Sequence, residues 1–263
     1  MNTDAAEKGP DLRKNDQALV KASDFALALA LLTRLPVHVS SFDRGARAAW
    51  AYPLVGLVLG GLAATAGFLG HWLGFGPAIN ALISLAVLVV LTGAMHEDGL
   101  ADTADGFWGG WDPARRLEIM KDSHIGTYGV IALFFGLSAR WLALWILYEA
   151  SLAAAFTGLI AAAILSRAVL PALMAGLPNA RASGLSHSTG RCPARTAWLA
   201  AGLSIGFSFL LLGASVFSAA ALAVIAGLAM ARIARAKIGG QTGDVLGATQ
   251  QVTEIAILFT LVA

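Results

Sequence analysis

Residues 77–106 read PAINALISLAVLVVLTGAMHEDGLADTADG. A nearly uninterrupted apolar run gives way, after Gly93, to a stretch with Glu97, Asp98, Asp102 and Asp105, four acids within nine residues. The apolar half has the composition of a membrane-crossing helix, which needs roughly 20 mostly apolar residues. Carboxylates beside such a segment are costly unless something pairs with them. Asp98, Asp102 and Asp105 are spaced four and then three apart, so on a helix all three share one side. That side repels itself unless a cation sits on it. Carboxylates in this pattern suit a hard divalent metal, and a metal held at a membrane surface invites a phosphate ligand.

The rest of the chain fits a lipid setting. Of 263 residues, 57% are hydrophobic and 13% charged, with a mean hydropathy of +0.72. Soluble domains carry about 25% charged residues. The expected fold is an all-α polytopic membrane bundle of 6–7 transmembrane helices, with spans near 49–70, 77–95, 129–149, 152–176, 197–214, 216–232 and, least well marked, 251–263. Abundant Ala and Gly let such helices approach closely and permit a homo-oligomer. Residues 1–24 are polar and do not form a signal peptide. They are expected to be a cytoplasmic segment without fixed structure, leaving 25–263 as the membrane domain. Phe25–Leu32 is too short to span and reads as a helix at the interface or against the bundle. A net charge of +2 gives no case for nucleic acid, and a lone Cys192 excludes an intrachain disulfide.

Charge distribution sets the expected orientation. Seven of the 18 Lys and Arg residues precede the first span, and three each fall at 115–121, 181–195 and 232–237. Loops near 71–76, 150 and 214 hold none. Threading seven spans puts every basic loop on the side of the N-terminus, which the positive-inside rule makes the cytoplasm. The acidic stretch falls on that side too. His96 reads either as a metal ligand or proton carrier, or as an ordinary hydrogen-bonded core residue. Glu97 points away from the aspartate face and is the weaker candidate.

Two further motifs lie on the same side. In RRLEIMKDSHIGTYG (115–129), Arg116 and Lys121 are natural phosphate partners, Ser123 and Thr127 offer hydroxyls, and Gly126 frees amides at a helix start. In GGQTGDVLG (239–247), running on to Gln250, Gln251 and Glu254, one helix face carries Asp244, Gln251 and Glu254 into apolar surroundings. A carboxylate inside a span is a site hypothesis by default; a polar lock between helices is the competing reading for Glu254. Arg140 and Arg167 sit within spans. One of the two is open to snorkelling or to pairing with Glu149 or a buried acid, and Arg167 lies near enough the cytoplasmic end to reach a phosphate. The Gly-rich loop 178–196 reads equally as a lid or a linker.

The strings TRLPV (33–37), YPLVGLVLG (52–60), HEDGLADTADG (96–106), RRLEIMKDSHIGTYG (115–129), SRAVLP (166–171) and GGQTGDVLGA (239–248) resemble the cobalamin synthase family, the adenosylcobinamide-GDP ribazoletransferases. The likeness runs from about residue 25 to the end. It implies a Mg²⁺-dependent enzyme of the bacterial inner membrane with its active site facing the cytoplasm. Such an enzyme joins the adenosylcobinamide-phosphate of adenosylcobinamide-GDP to α-ribazole or its 5′-phosphate and releases GMP. On that reading Asp98, Asp102 and Asp105 hold the metal, and Asp122 or Asp244 completes its shell or takes the hydroxyl proton. Lys121, Arg116 and Arg167 neutralise phosphate, while Ser123, Thr127 and Thr242 donate hydrogen bonds.

Two other classes compete. Asp102-Thr-Ala-Asp105-Gly106 opens like the CDP-alcohol phosphotransferase motif, but Gly109-Gly110, Ile119, Ser123 and Thr127 stand where that motif has Ala-Arg, Gly, Asp and Asp. A cation- or proton-coupled transporter also uses buried acids and arginines, though near the bilayer midplane and in repeated halves. Here the acids gather at one rim and no internal repeat is seen.

Overall fold

A computed structural model describes residues 18–263. The polar segment expected over 1–24 lies, up to residue 17, outside the described residues. Among these, eleven α-helices and no strand are found. They are α1 (Ser23–Leu32), α2 (Tyr52–Trp72), α3 (Pro77–Thr92), α4 (Met95–Gly109), α5 (Pro113–Ile119), α6 (Thr127–Ala150), α7 (Leu152–Gly176), α8 (Leu185–Thr189), α9 (Ala194–Leu212), α10 (Ser215–Ile238) and α11 (Gly243–Val262). Six are long and apolar enough to cross a membrane, and α3 with α4 makes a seventh if that bent pair is one span. The protein is thus an all-helical polytopic membrane protein, as the composition requires.

Helix α7 is the axis of the bundle. Its spanning window is 83% buried, against 22% for α9 and for α10, so those two helices are peripheral. α7 packs against α2, α6, α9 and α11. The α2 contact is close because α2 presents glycines. A Cβ on Gly56 would lie 2.2 Å from the Ala163 carbonyl oxygen, and one on Gly60 2.8 Å from Ile160 Cα. Without a hydrophobic driving force between helices in lipid, such close packing is what holds spans together.

The bend between α3 and α4 positions the site. Gly93 and Ala94 both take left-handed backbone, at φ 64° and 56°, and the chain turns through 84°. Their amides close the end of α3 by donating to Val90 and Val89 carbonyls, a glycine-type helix stop. The expected span 77–95 therefore ends three residues early, and the acidic stretch becomes a separate helix. The last span departs the other way. Expected at 251–263, it runs from Gly243, because Gln250, Gln251 and Glu254 find polar partners inside the bundle. Helix α1 packs its Leu27, Ala28 and Leu32 inward. Asp24 pins it, accepting from Arg44 Nη2 at 2.7 Å, Arg44 Nε at 2.8 Å and Trp50 Nε1 at 2.8 Å.

Candidate active site

Helices α4 and α11 cross through glycines. A Cβ on Gly99 would lie 2.7 Å from the Asp244 carbonyl oxygen, and one on Gly247 3.3 Å from His96 Cα. Only this approach lets Asp98 and Asp102, one turn apart on α4, share a field with Asp244 at the start of α11. Asp98 is exposed, and Asp102 and Asp244 are half-buried. Three carboxylates thus face one another at a single rim.

One cation answers them. Arg181, from the connection between α7 and α8, donates from Nη2 to Asp244 Oδ2 at 3.0 Å. Its Nε is buried without a partner. Thr242 caps α11 by accepting from the Val245 amide at 3.2 Å and donates to Asp244 Oδ2 at 3.2 Å. The connection is held in place by backbone pairing. Gln241 N–H donates to Pro178 at 2.8 Å and Ala180 N–H to Gln241 at 2.9 Å, while Ser186 Oγ donates to Gln241 Oε1 at 2.7 Å. The result is a polar cavity of about 150 Å³ bounded by Asp98, Asp244, Arg181, Ser183, Ser186 and His187.

Asp105 does a different job. Its carboxylate accepts from the Gly126 amide at 2.7 Å and the Gly129 amide at 2.9 Å, so it caps α6 and ties α4 to it. A Cβ on either glycine would lie within 2.5 Å of that carboxylate, which is why both are glycine. Among the described residues no three His, Cys, Asp or Glu form a ready metal cage. Mg²⁺ ordinarily takes one or two carboxylates and fills its shell with water and substrate phosphate. Asp98, Asp102 and Asp244 fit that demand; Asp105, with both oxygens occupied by amides, fits it less well.

The remaining candidates separate. Arg116 braces the backbone, donating to Gly110 at 3.0 Å, Trp111 at 3.1 Å and Lys237 at 2.9 Å. Lys121, Ser123 and Thr127 are exposed around the α5–α6 connection. Asp122 there pairs with His124 at 2.7 Å; the His124 hydrogen bond holds the Asp122 carboxyl below its usual value, and Asp122 raises the His124 imidazole. This pair is not drawn into the three-aspartate rim. His96 is buried with Nε2 unpartnered. Cys192 is buried, and burial pushes its thiol up to about 12, as befits a bystander.

Arg167 and Glu254 lie deeper, in a closed polar cluster. Arg140 donates to Glu97 Oε1 at 2.7 Å, Gln251 Oε1 at 2.7 Å and Glu254 Oε1 at 2.9 Å. Arg167 Nη1 donates to the Ala163 carbonyl at 3.0 Å and stands 3.8 Å from Glu254 Oε2. Two cations meet two anions, and each is almost wholly buried. Arg140 therefore pairs with buried acids rather than Glu149, which instead accepts from Trp145 Nε1. Sequence reading missed Arg181, Ser183 and His187 as site residues. It also missed Glu97 as the α4 anchor. A polar, Gly-rich loop was the only signal for the first three.

Fold and site together define an integral-membrane helical enzyme whose polar centre sits at one rim of the bundle. The family model for cobalamin-5-phosphate synthase matches residues 24–262. The chain belongs to that family and is accordingly a transferase. Curated relatives named adenosylcobinamide-GDP ribazoletransferase include one from Bradyrhizobium diazoefficiens, 43% identical over 92% of this chain and 94% of its own length. Others are from Azorhizobium caulinodans, 44% identical over 90% and 94%, and Mesorhizobium japonicum, 45% identical over 89% and 91%. No solved structure matches.

Proposed function

We propose that this chain transfers the adenosylcobinamide-phosphate group of adenosylcobinamide-GDP to a ribose hydroxyl of α-ribazole or its 5′-phosphate, at the cytoplasmic face of a bacterial inner membrane. The hydroxyl oxygen forms a new bond to the corrinoid-side phosphorus. The bond from that phosphorus to the bridging oxygen breaks, and GMP leaves with that oxygen. Adenosylcobalamin or its 5′-phosphate results. The observation that supports this reading is the glycine crossing of α4 and α11, which brings Asp98 and Asp102 near Asp244 and its partner Arg181, beside a polar cavity lined by Asp98, Asp244 and Arg181.

Phosphoryl transfer is mostly positioning and charge neutralisation. Asp98 and Asp244 would hold Mg²⁺, which when bound supplies charge stabilisation on the pyrophosphate oxygens, and leave Asp102 free. Arg181 already reaches into the cavity and exchanges its bond to Asp244 for a phosphate oxygen. Ser183 and Thr242 stand beside it as donors. Asp102, the middle acid of the rim, is the natural acceptor of the hydroxyl proton.

Purified protein given adenosylcobinamide-GDP and α-ribazole in a Mg²⁺ titration should form the joined corrinoid and GMP in equal amounts. Arg181→Ala should raise the apparent KM for adenosylcobinamide-GDP about tenfold or more, as loss of a charge-assisted contact requires. GMP release without a joined product, or turnover unchanged by chelator, would overturn the reading.

A further inference from the structure

Away from the acidic rim, a cleft of about 540 Å³ opens between α7, α9 and α10. Its walls are mostly alkyl and indole groups, among them Ala172, Ala201, Trp198, Val224 and Leu228. The lining positions on α10 recur on one face, which passes Ala231 and continues one turn on to Arg235. On α9, Arg195 lies one turn before Trp198. Both arginines are exposed, and neither has a partner among the described residues. Arg232, next to the lining Ala231, is exposed as well. Helices α7, α9 and α10 contain no Asp or Glu. Among the described residues, the cleft is thus an apolar slot with a cationic mouth that no acid neutralises.

We propose that this cleft is a binding site for an anionic diacyl phospholipid, its chains between α9 and α10 and its headgroup phosphate on Arg195 and Arg235. Basic pockets between transmembrane helices favour anionic headgroups over zwitterionic ones, because the net charge is answered at the membrane surface. A second copy docking here about a two-fold axis would set arginine against arginine. A bound lipid joins the peripheral α9–α10 hairpin to α7, which carries the connection bearing Arg181.

The full chain, reconstituted in vesicles of equal phosphatidylglycerol and phosphatidylcholine, is extracted in detergent, washed, and its retained lipid measured by mass spectrometry. Phosphatidylglycerol should exceed phosphatidylcholine about thirtyfold, the scale set by two arginines near the surface. Arg195→Gln with Arg235→Gln should bring the two lipids close to parity. Ala172→Leu with Ala201→Leu should fill the slot and remove both. Equal retention by the native chain, a preference unchanged by the arginine pair, or lipid persisting in the filled cleft overturns the proposal. So does a crosslinked dimer that protects Trp198 and excludes lipid. Thermal unfolding checks each variant; should the filled variant not fold, the native chain and the arginine pair decide alone.

Discussion

Asp105 departs from the place that its spacing suggests. On a helix Asp105 shares a side with Asp98 and Asp102, yet its oxygens are taken by two amides at the start of α6. Asp244, far off in sequence, meets Asp98 and Asp102 instead. The two roles separate by experiment. Asp98→Asn or Asp244→Asn should lower turnover about a hundredfold, the scale for removing one preorganised charge contact, and raise the Mg²⁺ needed for half-maximal rate. Asp105→Ala should cost about 1 kcal/mol of stability through the lost cap, read by thermal unfolding, with the Mg²⁺ requirement unchanged. The acids themselves were legible in the sequence because carboxylates clustered beside a span are costly without a cation to answer them. Asp244 was legible as a site residue in its glycine-rich motif and joined to the other acids through the family resemblance; Arg181 was not, because it reaches the rim through a tertiary contact that no local period encodes. The buried cluster makes the same point at Arg140, whose three acceptors lie on α4 and α11. Arg140→Met should destabilise the protein by about 3–5 kcal/mol, since Glu97 and Glu254 would be left buried without it.

Helix α4 is the element on which site geometry turns. It is clamped at three places: by Glu97 to Arg140, by Gly99 against α11, and by Asp105 to α6. Gly99→Leu should push α4 off α11 and abolish turnover while the spans still insert, as circular dichroism and membrane fractionation would report. The spans were readable to within a few residues wherever hydropathy was uniform. They were misread where polar residues are satisfied internally, as at Gly243–Gln251, because hydropathy counts a paired glutamine as if it faced lipid. Helix α1 offers a pH test. Burial of Asp24 opposes its ionisation, but hydrogen bonds from Arg44 and Trp50 more than offset this and hold the carboxyl below its usual value. A lowered folded value means the stabilisation is full above the unfolded value, about 3.9, and is lost as pH falls through the folded one. Midpoints of thermal unfolding should therefore drop on acidification below about pH 4, and Asp24→Asn should flatten that dependence.

At the scale of the whole molecule, topology and chemistry coincide: the basic connections, the acidic rim and the cationic mouth of the lipid cleft all lie at one end of the bundle. The positive-inside rule predicts that end to be cytoplasmic. Because Cys192 is the single cysteine and is buried, one added cysteine reports its own side. Ser183→Cys should react with an impermeant maleimide in inverted vesicles, and Gly213→Cys only in right-side-out ones; the reverse pattern would place the site outside. The elbow at Gly93 and Ala94 has a consequence for the bilayer itself. Helix α3 is 16 residues long, about 24 Å at 1.5 Å per residue, whereas hydrocarbon is about 30 Å thick. If α3 crosses without α4, hydrophobic mismatch predicts a leaflet thinned above α4, which lipid-depth measurements at residues 95–109 would report. Thinning there would bring water down to the acidic rim without any polar group having to enter oil.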